Sequence, residues 1–110
     1  MAVFKSLPID KYVNGKSILV SEHSVVTDAH YTTNGETAIV VKDVEECIVT
    51  LNHETTKYVT IKSLTNTLVI SSTNIDDEYS EIYLGKGACV ELRYIIGGWY
   101  IMSSDGLKGS

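Results

Sequence analysis

Gly87-Ala88-Cys89-Val90-Glu91-Leu92-Arg93-Tyr94-Ile95-Ile96-Gly97-Gly98-Trp99-Tyr100-Ile101-Met102 decides the fold class. Two runs that alternate in polarity flank a pair of glycines, and such a pair supplies the positive φ angles of a two-residue hairpin turn. With Gly97-Gly98 as the turn, Ile96 faces Trp99, Tyr94 faces Ile101 and Leu92 faces Ser103. Val90, Leu92, Tyr94, Ile96, Trp99 and Ile101 then share one apolar face, the predicted core side. The opposite face carries Glu91, Arg93, Ile95, Tyr100 and Met102, and turns from charged to apolar toward the tip.

Upstream, turn-forming residues recur at Asn14-Gly15, Asn34-Gly35, Asn52-His53, Asn66, Asn74 with Asp76-Asp77, and Gly85 to Gly87. The short apolar runs between them predict strands at Ser17–Val20, Thr37–Val41, Cys47–Leu51, Tyr58–Lys62, Leu68–Ser71, Glu81–Leu84, Cys89–Ile96 and Trp99–Ser103. Cys47, Val49 and Leu51 fall on one face of their strand, and Val59 and Ile61 on one face of theirs, which leaves Tyr58, Thr60 and Lys62 outward. The expected fold is all-β: a compact antiparallel β-sandwich or jelly-roll-like barrel with an extended N-terminal arm. Residues 1–35 read as that arm with irregular strands, 36–104 as the sandwich core, and the small, polar 105–110 as a flexible tail.

Composition agrees with strands. Val, Ile, Thr, Tyr, Phe and Trp make up 43 of 110 residues, against four Ala, a bias toward residues that suit a pleated surface. One domain is all that 110 residues accommodate. Nine basic and fourteen acidic residues give a net charge of −5, and the lysines are scattered singly, so no nucleic-acid partner is expected. No apolar run approaches a signal peptide or a membrane span, so a soluble protein with no membrane partner is expected.

Chemistry is sparse. His23, His30 and His53 match no metal-ligand spacing. Cys47 and Cys89 lie on predicted strands without an adjacent base, which argues against a thiol enzyme and leaves one disulfide open. Asp76-Asp77-Glu78 lacks the alternating ligand pattern of a calcium loop. Gly85-Lys86-Gly87 leads into a strand, whereas phosphate-cradling loops lead into a helix. No catalytic residue, cofactor or metal site is expected. The candidate contact residues are apolar ones outside the strand pattern, Phe4, Leu7, Ile9, Tyr12 and Tyr31, and the outward hairpin set Ile95, Tyr100 and Met102.

The order of motifs from Thr37–Val41 through Cys47-Ile48-Val49-Thr50-Leu51, Tyr58-Val59-Thr60-Ile61-Lys62, Leu68-Val69-Ile70, Gly87-Ala88-Cys89-Val90-Glu91-Leu92 and Gly97-Gly98-Trp99-Tyr100-Ile101 resembles the small β modules of tailed-bacteriophage virion proteins. Each piece is a generic β motif, so the order and the closing Trp-Tyr hairpin carry the likeness, which spans about residues 37–102. Because the sequence starts at Met1 and holds only module and arm, the resemblance implies a stand-alone capsid decoration protein. Such a protein is made in the host cytoplasm, sits on the virion exterior and cements neighbouring subunits. The implied partners are the major capsid protein of the phage head and copies of the chain itself, as a dimer or trimer. The alternative is a receptor-binding module of a tail fibre or spike, with Tyr79 and Tyr83 lining a sugar groove. More remote readings are a small hydrolase or lyase, for which Asp76, Asp77 and Glu78 beside Tyr79 form the only acidic cluster, and an assembly chaperone.

Overall fold

The computed structural model describes residues 22–109. These form eight strands: β1 (His23–Val26), β2 (His30–Thr32), β3 (Ala38–Val41), β4 (Glu46–Thr50), β5 (Tyr58–Ser63), β6 (Asn66–Ile75), β7 (Tyr79–Ile95) and β8 (Gly98–Gly109). The all-β expectation holds, and no helix occurs among the described residues.

The pairing differs from an antiparallel sandwich or jelly roll. β1, β3 and β5 stack in parallel, and β2, β4 and β6 stack in parallel in a second ladder. The chain therefore alternates between an odd and an even ladder and winds as a solenoid-like coil of three turns. Each strand pairs with the strand two along, because the intervening strand carries the chain across to the opposite ladder and back.

Inward side chains of successive turns stack. Ile39 lies beside Ile61 and Ile61 beside Val90. Val49 lies beside Val69 and Val69 beside Ile82. These residues, with Val41, Cys47, Leu51, Val59, Leu84 and Leu92, form one buried core, and burying a Val, Leu or Ile side chain contributes about 1.5–3 kcal/mol. The corners are polar but satisfied. Thr33 Oγ1 accepts from Asn52 N at 2.8 Å and Thr56 Oγ1 from Gly35 N at 2.8 Å, joining one turn to the next. Ser63 and Thr67 share a buried hydroxyl pair at 2.9 Å, so the short β5–β6 connection is a coil corner rather than a hairpin.

β7 closes the coil. Its first part pairs with β6 through Leu84, and its second part pairs with β5 from Cys89, so it crosses from the even ladder to the odd one at Gly85–Ala88. β8 follows it antiparallel around the same bend. There Gly106 has φ +79°, and a Cβ would stand 3.2 Å from that of Ala88, so both conformation and space call for glycine.

Several expected boundaries shift. The stretch read as irregular arm contains β1 and β2, with Val26 buried. The expected tail lies in β8, which runs to Gly109 with Leu107 packed against the core. Predicted strands at Glu81–Leu84 and Cys89–Ile96 are parts of the single strand β7. The predicted strand Ser17–Val20 and the candidates Phe4, Leu7, Ile9 and Tyr12 lie outside the described residues.

Candidate interaction surface

The hairpin turns one residue earlier than Gly97-Gly98 suggests. Ile95 pairs with Gly98, and Tyr94 with Trp99. The central turn residues are Ile96 at φ +43° and Gly97 at φ +85°, the positive pair of a type I′ turn. Packing explains the shift. Opposite Tyr94, the buried Trp99 meets its ring edge-on at 5.5 Å, and His53 stacks on Tyr94 at 4.7 Å. A Cβ at Gly98 would stand 3.5 Å from the Tyr100 ring, an ordinary van der Waals contact, so the pairing of Tyr94 with Trp99 is what leaves Ile96 in the turn.

Ile96, expected on the core face, is consequently 98% exposed. The left-handed region disfavours an L residue by about 1–2 kcal/mol, and a β-branched one is an outlier there. An exposed isoleucine in a disfavoured conformation is the kind of outlier that accompanies function. Of the outward candidates, Ile95 adjoins it, while Tyr100 and Met102 lie farther down the hairpin. Ile95 is 39% exposed and Met102, at a bulge in the β7–β8 pairing, 51%. Tyr100 is half-buried and donates to Asp77 Oδ2 at 3.4 Å. The charge of Asp77, followed by burial, pushes its phenol up.

The base of this face is braced by polar contacts. Glu91 accepts from Tyr58 Oη at 2.5 Å and from Ser103 Oγ at 2.8 Å, and these bonds hold its carboxyl below the usual range. The Arg93 guanidinium lies 5.2 Å from the centre of the Tyr58 ring. The hairpin is thus stitched to β5 while its tip stays apolar and open.

A second apolar feature lies on the outer side of the even ladder. Ile48 pairs with Leu68, and Leu68 with Tyr83. The three line a depression of about 170 Å³, together with Glu46, Cys47 and Asn66. Tyr83 Oη donates to Asn66 Oδ1 at 2.5 Å, which fixes the ring as one wall.

The remaining candidates are spread apart. Tyr31 is half-buried against the core and donates to Glu36, so its ring is engaged within the chain. Tyr79 packs against the core while Tyr83 stands out, so the two line no common groove. Asp76 and Asp77, read as a solvated loop, form a left-handed turn at φ +57° each. Asp76 Oδ1 accepts from Ile101 N at 2.8 Å, and Asp76 N donates to Trp99 O at 2.9 Å, so this carboxylate covers part of the β8 edge. Both cysteines are free thiols, Cys47 buried and Cys89 half-buried. Burial first, then the charge of Asp28, pushes the Cys47 thiol up. Among the described residues no group of three or more His, Cys, Asp or Glu is placed to hold a metal ion, and no helix is long and apolar enough to cross a membrane.

Sequence reading missed Ile96 and the Ile48–Leu68–Tyr83 depression. The glycine pair drew the turn one residue too far along. Ile48 and Leu68 sit at outward positions of strands whose partners the sequence does not name. No family model, curated protein or solved structure matches the chain.

Proposed function

We propose that the chain is a structural module of a tailed-bacteriophage particle that acts by holding protein neighbours, without a catalytic step. In this reading it binds the outside of an assembled head, contacts the major capsid protein, and cements the shell as a homo-oligomer. The observation that carries the protein-binding part is the hairpin, where Ile95 and Ile96 at the tip and Met102 nearer the base are exposed on a hairpin braced by Tyr58, Glu91 and Ser103. A rigid apolar projection loses little side-chain and loop freedom on docking, so more of its contact energy appears as affinity. The order of the strand motifs supports the phage setting. A cement stabilises a shell by binding the assembled state more tightly than free subunits, and repeated contacts on a lattice add by avidity.

The test is co-sedimentation of purified protein with heads that lack it, followed by heating. Saturable binding and improved shell survival are expected. Absence of binding to heads, with binding to host cells or surface polysaccharide, would overturn the reading in favour of a receptor-binding module of a fibre or spike. One observation favours that second reading. Among the described residues β1 and β2 each have one strand partner, while β7 and β8 cap the other end, so the coil can terminate a longer stack of parallel turns.

A further inference from the structure

We propose that Asn34 is a deamidation site that the folded chain holds shut and that opens when the first turn of the coil lifts away from the second. The reaction needs only water, and it is independent of what the chain binds.

The chemistry starts from the Asn34-Gly35 pair between β2 and β3, with Asn34 exposed. The deprotonated Gly35 nitrogen attacks Cγ of Asn34, the N–Cγ bond forms, and the side-chain nitrogen leaves as ammonia. Water then opens the five-membered imide at either carbonyl and gives aspartate or isoaspartate. The net change is one water taken up and one ammonia released. A glycine after the asparagine suits this step because no Cβ shields its nitrogen. Asn66 and Asn74 instead precede Thr67 and Ile75, whose branched side chains crowd the attack. The chain's other Asn-Gly pair, Asn14-Gly15, lies outside the described residues.

Geometry blocks the imide in the folded chain. The Gly35 N–H donates to Thr56 Oγ1 at 2.8 Å, and Thr56 is 1% exposed. An imide nitrogen is planar, and Cγ takes the position that its hydrogen held. At a C–N bond of about 1.4 Å, Cγ would stand within about 2 Å of that oxygen, far inside van der Waals contact. The oxygen is held in place, because Thr56 N donates to Asn52 O at 2.9 Å and Thr55 Oγ1 donates to Thr33 O at 2.9 Å. On the other side Asn34 N donates to Glu36 Oε1 at 2.6 Å, which fixes the asparagine itself. Ring closure therefore requires the 33–36 connection to leave the 52–56 connection. That opening is among the least costly in the coil, since β1 and β2 each have one strand partner among the described residues. Reclosure is then impaired. Isoaspartate carries the main chain through the former side chain, and either product sets a new carboxylate two residues before the buried Glu36. Deamidation thus marks molecules whose first turn has opened, and loss of ammonia makes the mark permanent.

Peptide mapping by mass spectrometry on the purified full chain, incubated at neutral pH beside a sample in denaturing guanidinium chloride, measures Asn34 conversion directly. Native wild type should convert about tenfold or more slowly than the denatured chain. Thr56→Ala deletes both the obstructing oxygen and the acceptor, and should recover most of that difference. Thr56→Ser keeps both and should stay slow. Gly87→Ala, strained at φ +90° in the bend of β7, controls for general loss of stability and should keep the wild-type rate. Equal native and denatured rates in wild type would overturn the inference, and so would a Thr56→Ala protein as slow as wild type. A Gly87→Ala protein as fast as Thr56→Ala would also overturn it, because the route would then be global unfolding.

Discussion

Glu36 is the most heavily engaged buried charge among the described residues, and replacing it by Gln should weaken the first turn of the coil. The side chain is 2% exposed. Its Oε2 accepts from Tyr31 Oη and from Ser24 Oγ at 2.8 Å, and its Oε1 from Asn34 N at 2.6 Å. One carboxylate thus joins β1, β2 and the connection to β3. Burial raises its proton affinity, but the hydrogen bonds from Tyr31, Asn34 and Ser24 outweigh burial and hold the carboxyl below its ordinary value. Hydrogen bonds to a charged group contribute about 1.5–3 kcal/mol each and neutral ones about 0.5–1.5, so Glu36→Gln should lose roughly 1 kcal/mol per bond, about 2–4 kcal/mol in all. Tyr31→Phe, which deletes one donor, should lose about 1.5–3 kcal/mol.

The pH dependence has a definite sign. A lowered folded-state value means that the unfolded chain binds more protons in the interval between the two values, so stability rises with pH there. The contribution is complete above the unfolded carboxyl range, near pH 4.3, and is lost as pH falls through the folded value. Urea unfolding followed by Trp99 fluorescence at pH 7 and at steps down to pH 3 measures both effects, given two-state behaviour. The gap between wild type and Glu36→Gln should be widest at neutral pH and shrink in acid. A gap under about 0.5 kcal/mol at pH 7, within the range of an ordinary surface substitution, or one that does not shrink, would refute the reasoning.

Gly87 and Gly106 both have positive φ, but only Gly106 has a neighbour within 4 Å of an added Cβ. Gly87→Ala should therefore lose about 1–2 kcal/mol in a denaturant titration, and Gly106→Ala more. In native protein Cys89 should react with a thiol reagent while Cys47 stays silent until the chain unfolds, since the thiolate is the nucleophile and burial opposes it at Cys47; equal native rates would contradict the placement. Amide exchange should be fastest in β1 and β2, which have one strand partner each among the described residues, and slowest in β5 and the part of β7 beside it. Uniform protection would count against the coil.

Faces were legible in the sequence; partners were not. Whether a strand residue points in or out follows from the two-residue period alone, so Cys47, Val49 and Leu51, Val59 and Ile61, and Val90 and Leu92 are buried as the alternation predicts. The same alternation arises whether a strand pairs with the next strand or with the one after it. What separates these cases is corner chemistry, such as the Ser63–Thr67 hydroxyl pair and the Leu64 N to Val41 O bond at 2.9 Å, and serine and threonine there look like ordinary turn residues. β1 and β2 escaped notice because the interior of their turn is largely polar, built on Ser24, Thr33 and Glu36. The end of β8 escaped for a different reason. Its small polar residues are held by backbone pairing to β7, which composition does not report.

The capped end also bears on whether another strand can add to the sheet. An edge strand ordinarily invites another strand through its unpaired backbone groups. In β8 the outward Trp99 carbonyl and Ile101 amide are already taken by Asp76. Farther along, the register breaks between Ser103 and Ile101 and again between Asp105 and Leu107. Such bulges bend an edge away from straight pairing. Backbone addition is thus discouraged at the end where the apolar tip projects.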